Sequence, residues 1–111
     1  MEARSVFRNL SPLDHRYYEA NRELFTALAD YLSEEALVRF CVRVEAALLH
    51  AHMRRTGLDT AENRSAVDNL AAAVDPAEVY REEQKTRHNI RALVRVIKRN
   101  LPDELVPLVH L

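Results

Sequence analysis

Cationic and ring side chains gather at two places in this 111-residue chain: Ser11-Pro12-Leu13-Asp14-His15-Arg16-Tyr17 and Thr86-Arg87-His88-Asn89-Ile90. Arginine presents a planar fork of donors that matches phosphate and carboxylate, and tyrosine or histidine adds a further donor with a stacking face. The chemistry these groups suggest is recognition of an anion rather than covalent attack. The bland reading of each pair is a solvated charged face, or a packed tyrosine beside a surface arginine. No His-Glu-x-x-His, paired-cysteine, Gly-rich phosphate-loop or nucleophile-elbow pattern occurs. His50 and His52 stand two residues apart and so face away from each other on a helix, with no acidic cluster or Cys41 at ligand spacing. A metal site is not expected.

The elements that must position these groups read as helices. One glycine and four prolines leave little material for hairpins or positive-φ turns, while alanine, leucine, arginine and glutamate dominate. The expected fold is all-α: an extended arm over 1–14, four main helices in a body over 15–101, and a closing segment over 102–111. Pro12 keeps Ser11 out of helical conformations and Asp14 can cap the first helix, with Tyr17, Ala20, Leu24, Ala27, Leu28 and Tyr31 at helical spacing over 15–31. Ser33 begins a second helix with Glu34 and Glu35 in its first turn. Its stripe runs Leu37, Phe40, Cys41, Val44, Leu48 and Ala51, and it ends with Arg54, Arg55 and Gly57.

Asp59 or Thr60 starts a third helix through about Val74, with Ala66, Val67, Leu70 and Ala73 facing inward. Asp75, Pro76 and Glu78 compose a capping box for a fourth helix that runs to Leu101 before Pro102. Its stripe is Val79, Glu83, Thr86, Ile90, Leu93, Val94, Ile97 and Leu101, interrupted by polar Glu83 and Thr86 just before Arg87-His88. On such a helix Arg87 and His88 splay by roughly 100°, and Arg91 lies on the face of Arg87.

Sixteen basic against seventeen acidic residues give a net charge of −1, so no global field draws the chain to nucleic acid or an anionic membrane. Arg91, Arg95, Lys98 and Arg99 lack interleaved aromatics and read as a solvated helix face. No apolar run reaches the roughly 18–20 residues that span a bilayer, and the first residues lack a signal-peptide segment. The lone Cys41 reads as a buried thiol in a reducing compartment. A cytoplasmic protein is the expectation.

Taken in order, the segments resemble the N-terminal domain of the adenylosuccinate lyase family, in the fumarase/aspartase superfamily. The resemblance rests on Ser11 to Tyr17, on Leu32-Ser33-Glu34-Glu35-Ala36-Leu37-Val38-Arg39-Phe40, and on Val42-Arg43-Val44-Glu45. It continues through Glu83-Gln84-Lys85-Thr86-Arg87-His88-Asn89-Ile90-Arg91-Ala92-Leu93-Val94 and ends at Val109-His110. The family usually has Gly where His15 stands and often Asp where Asn89 stands, so any charge at the latter position is absent here.

The resemblance implies domain 1 of that superfamily's fold and cleavage of adenylosuccinate to AMP and fumarate, with the analogous cleavage of a succinylated aminoimidazole ribotide, in purine biosynthesis. It implies β-elimination without metal or organic cofactor, in a homotetramer. It places Arg16 and Tyr17 at the nucleotide end of the substrate, Arg87, His88 and Asn89 in a substrate-binding triplet, and His110 close to the substrate. The family's acid–base pair has no counterpart in these residues, so no catalytic residue is expected within the chain. The implied partners are a nucleotide substrate, a central helical domain and further copies of the chain. The 111 residues alone are expected to be inactive. The alternatives are a stand-alone helical interaction module, or another fumarate-releasing lyase of the superfamily.

Overall fold

The computed structural model describes Leu10 and residues 15–111. The expectations for the arm, including Pro12 and Asp14, fall outside the described residues. Among those described are seven α-helices, a 3-10 helix over Asp103–Leu108 and no strand, so the fold is all-α. No helix among them is long and apolar enough to cross a membrane. The chain divides into two compact units, Met1–Ala36 and Leu37–Leu111.

In the first unit, the single helix expected over 15–31 is two: α1, Arg16–Ala20, and α2, Arg22–Leu32. Asn21 interrupts them at φ −135°, ψ 41°, while its side-chain amide donates to the Tyr17 carbonyl at 3.0 Å. An asparagine that bonds its own backbone offers an alternative to the helical ladder, which is why the periodicity conceals the break. Tyr18 and Phe25 meet edge to face, with ring centroids 5.9 Å apart, and Glu19 pairs with Arg22 at 2.9 Å. Neither helix buries a residue.

The second unit holds the core. The helix α3, Glu34–Thr56, has its first turn in the first unit and begins where expected: the Ser33 hydroxyl accepts from the Ala36 amide at 3.0 Å. It also ends where expected, with Gly57 at φ +77° and the Leu58 amide reaching back to the Met53 carbonyl at 3.1 Å. Its inner face is not the expected one. Val42, Leu49 and Met53 are buried with Glu45 among them, whereas Leu37, Phe40 and Val44 remain exposed. The helix is apolar over a wide arc, and its inner side is set by which flank the later helices cover. Val67, Leu70, Val96, Ile97 and Leu105 complete the same core.

Thr60 caps α4, Ala61–Asp68, accepting from the Asn63 amide at 3.1 Å, and α5, Leu70–Ala73, follows after Asn69. Ala73 is exposed and Val74 is buried in its stead. Asn63, itself buried, donates to the Leu58 carbonyl at 2.9 Å and to Glu104 at 2.8 Å, tying α4 to the 3-10 helix.

The largest departure lies in the fourth expected helix. It is a hairpin of α6, Pro76–Thr86, and α7, Asn89–Arg99. Asp75 and Pro76 act as expected, with the Asp75 carboxylate accepting from the Ala77 amide at 2.9 Å. The Glu78 carboxylate does not complete a capping box; it accepts from Arg99 at 3.3 Å. Because Arg99 also reaches Glu82 at 2.6 Å and Arg95 reaches Glu82 at 3.1 Å, the later residues of α7 meet the earlier residues of α6. The helices are antiparallel.

Leu49→Ala is expected to cost about 2–5 kcal/mol in urea unfolding, because it empties a fully enclosed site. Val44→Ala, on the exposed flank, is expected to stay within about 0.5 kcal/mol. Equal losses at the two positions would contradict this assignment of the buried face.

Candidate functional site

The turn between α6 and α7 is made by Arg87 and His88 with neither glycine nor proline. Arg87 takes the left-handed conformation at φ 55°, ψ 26°, and His88 is extended at φ −151°, ψ 120°. A non-glycine residue in that region carries a penalty of roughly 1–2 kcal/mol. Three local bonds hold it there. The Thr86 hydroxyl donates to the His88 carbonyl at 2.9 Å and accepts from the His88 amide at 3.2 Å, and the Arg87 amide bonds the Glu83 carbonyl at 2.8 Å. His88 then serves as the N-cap of α7, its Nδ1 accepting from the Arg91 amide at 3.2 Å.

This replaces the expected picture of Arg87 and His88 as successive positions on one helix, with Arg91 beneath Arg87. Arg87 is an exposed turn residue, while Arg91 belongs to the first turn of α7. His88, Arg91, Arg95 and Lys98 follow one another at helical spacing and so share a face of α7. Together with Ile90, Val94 and His110 they line an open groove of about 500 Å³.

The structure therefore brings together His88 and His110, two of the residues singled out from sequence. Arg87 and Asn89 are not among the groove's lining residues; the Asn89 side chain accepts from the Ile90 amide at 2.8 Å instead. Arg16 and Tyr17 belong to the first unit, in α1, and both are exposed. Arg91, Arg95 and Arg99 are exposed, as a solvated face requires, and Lys98 is half-buried; Arg95 and Lys98 also line the groove.

The groove's cations are not equivalent. Arg95 is committed to Glu82, whereas Arg91 and Lys98 make no ion pair among the described residues. Glu82 is the buried acid of the hairpin, 3% exposed, whereas the sequence pattern puts the polar interruption at Glu83. Its hydrogen bonds with Arg99 and then Arg95 hold its carboxyl well below the usual range, at about 2. Burial opposes that shift but does not overcome it.

His110 lines the groove from two residues beyond the 3-10 helix. It too lies at positive φ, 57°, and its Nδ1 stands 2.7 Å from Oε1 of Glu45 on α3. The other oxygen of Glu45, Oε2, is buried without a hydrogen-bond partner, as is Nε2 of His52. His50, by contrast, meets Asp68 at 2.9 Å. Among the described residues no three His, Cys, Asp or Glu side chains gather as a metal site would require. Sequence reasoning about the site missed Glu45. The signal was an acid standing at the core spacing of Val42 and Leu49.

Comparison with protein-family models, curated proteins and solved structures finds no match for this chain. The chemistry of the groove therefore stands on its own residues: two unpaired cations, one shared arginine and two imidazoles.

A depressed Glu82 pKa makes the hairpin acid-sensitive in a defined window. Unfolded, the group takes up its proton near the ordinary 4.5; folded, it does so near 2, so stability rises with pH between these values. Glu82→Gln should lower stability at neutral pH, with the difference from the wild type shrinking steadily below pH 4.5 and nearly gone by pH 2. Urea unfolding followed across that range checks it, and a difference independent of pH would contradict it.

Proposed function

We propose that this chain is the N-terminal, substrate-binding part of an adenylosuccinate lyase, and that the groove on α7 holds an anionic portion of the substrate. One observation carries the reading. The two histidines that the resemblance assigns to the substrate, His88 and His110, arise from distant parts of the chain and line one groove with Arg91 and Lys98. Adenylosuccinate carries a phosphate and two carboxylates, and free guanidinium and ammonium groups beside an imidazole donor are the partners such groups take.

In the proposed reaction, a base removes a proton beside a carboxylate, an acid protonates the departing nitrogen, and cations stabilise the aci-carboxylate that forms between. The chain contributes binding and charge stabilisation. His88 donates through Nε2, because its Nδ1 lone pair is engaged in capping α7. Arg91 and Lys98 offset developing negative charge. The resemblance gives Arg16 and Tyr17 to the nucleotide end; they belong to the first unit, and the groove's chemistry does not depend on them. The acid and the base come from elsewhere in the tetramer, so this part alone binds without turning over.

A helical interaction module is the second reading. Leu37, Phe40 and Val44 favour it, since together they leave an apolar stripe of α3 in solvent.

Purified chain should bind adenylosuccinate, with NMR resonances of α7 moving on titration, and release no fumarate. His88→Asn is the informative variant, since asparagine caps a helix as well as histidine does here while removing the ring. It should keep the fold and weaken binding by about tenfold, the ~1.4 kcal/mol of one good polar contact. His88→Ala should additionally lose about 1 kcal/mol of stability. Unmoved α7 resonances, or binding indifferent to His88→Asn, would contradict the proposal.

A further inference from the structure

Three acidic or amide side chains are buried among the described residues of the second unit, and two of them leave no buried polar atom without a partner. Asn63 donates twice, and both oxygens of Glu82 accept from arginines. Glu45 is the exception: it is 7% exposed, Oε1 meets His110, and Oε2 has no partner. A buried carboxylate with an unsatisfied oxygen is costly, and packing alone would be better served by leucine at this core position. What Glu45 does is hold one nitrogen of one imidazole.

That contact settles the tautomer of His110. A carboxylate can only accept, so Nδ1 must carry the hydrogen, and in the neutral ring Nε2 is then the lone-pair nitrogen. His88 is held the opposite way. Its Nδ1 accepts from the Arg91 amide, so in the neutral ring its hydrogen sits on Nε2.

We infer that the groove presents a matched pair of imidazoles, His88 as donor and His110 as acceptor, and that Glu45 is the positioning residue that sets the second. A site that carries free cations and a single fixed acceptor selects an anion with a hydrogen-bond donor beside its charge: a carboxylate or phosphate next to an O–H or N–H. A bare anion leaves the His110 acceptor unused. The assignment of this pair to substrate selection rests on the lyase reading above; the tautomers themselves do not.

The test uses the intact chain labelled with 15N at histidine, recorded well above the ~6.5 at which free imidazole titrates. Wild-type His110 should show Nδ1 protonated and Nε2 bare, with His88 the reverse. Glu45→Leu, which fills the same core position and removes the orphaned oxygen, should fold at least as stably. In it the His110 Nε2 resonance should move to the protonated region while His88 stays unchanged. Glu45→Gln, whose amide oxygen can still accept, should retain the wild-type pattern. A His110 already protonated on Nε2, or indifferent to Glu45→Leu, overturns the tautomer assignment.

Malate and succinate, which differ by one hydroxyl, probe the ligand class. Wild type should prefer malate by about tenfold, and Glu45→Leu should lose that preference. Equal affinity, or binding of neither, overturns the ligand assignment. Discrimination of malate without any binding of adenylosuccinate would remove the lyase reading and leave this inference standing.

Discussion

The second unit turns on one buried carboxylate. Glu82 reaches out of α6 to Arg95 and Arg99 of α7, and these bonds close a hairpin whose turn has no residue built for turning. Removing the arginines would leave the enclosed Glu82 carboxylate without its partners, although the two guanidinium groups are themselves about half exposed. The consequence for the groove is direct. Arg95 is drawn toward Glu82, while Arg91 and Lys98, on the same helix face, are left without an ion-pair partner among the described residues. The clamp engages one of the groove's cations and leaves two without an ion-pair partner among the described residues.

The turn carries a second role. A helix needs acceptors for its first amides, and His88 supplies one with its own ring. The same side chain thus starts α7 and lines the groove, so its orientation is set by backbone capping rather than by packing. His110 gains its orientation from the other direction, through the buried Glu45 of α3. Two imidazoles fixed by unrelated devices meet on one surface. A ligand arriving there need not order them, which lowers the entropic cost of binding.

Much of this architecture could be read from residue order. Ser33 and Gly57 bracket α3 as their chemistry requires, Thr60 caps α4, and Asp75-Pro76 opens α6. What escaped were breaks without glycine or proline. Asn21 and the Thr86–Asn89 stretch interrupt helices through their own hydrogen bonds, and apolar periodicity runs across such breaks unmarked. The hairpin did leave a signal: Glu78 and Glu82 precede the turn by about the distance at which Arg95 and Arg99 follow it. The inner face of α3 was undecidable from its own residues, since both flanks are apolar and only the packing of other helices selects Val42 and Leu49 over Phe40 and Val44. For the site, resemblance to a family drew attention to His88 and His110. Glu45, Arg95 and Lys98 join them only once the chain is folded.

The reversal at Arg87-His88 makes His88 the N-cap of α7, the helix whose face lines the groove, and a distance tests it most directly. Nitroxide labels placed by Ala77→Cys and Asn100→Cys, in a Cys41→Ala background, report the span between the far ends of α6 and α7. An uninterrupted helix would hold those positions about 35 Å apart at a rise of ~1.5 Å per residue. Antiparallel packing, with axes ~8–10 Å apart, predicts a dipolar distance below about 20 Å once label arms are included. A distribution centred near the longer value would contradict the hairpin and the groove built on it.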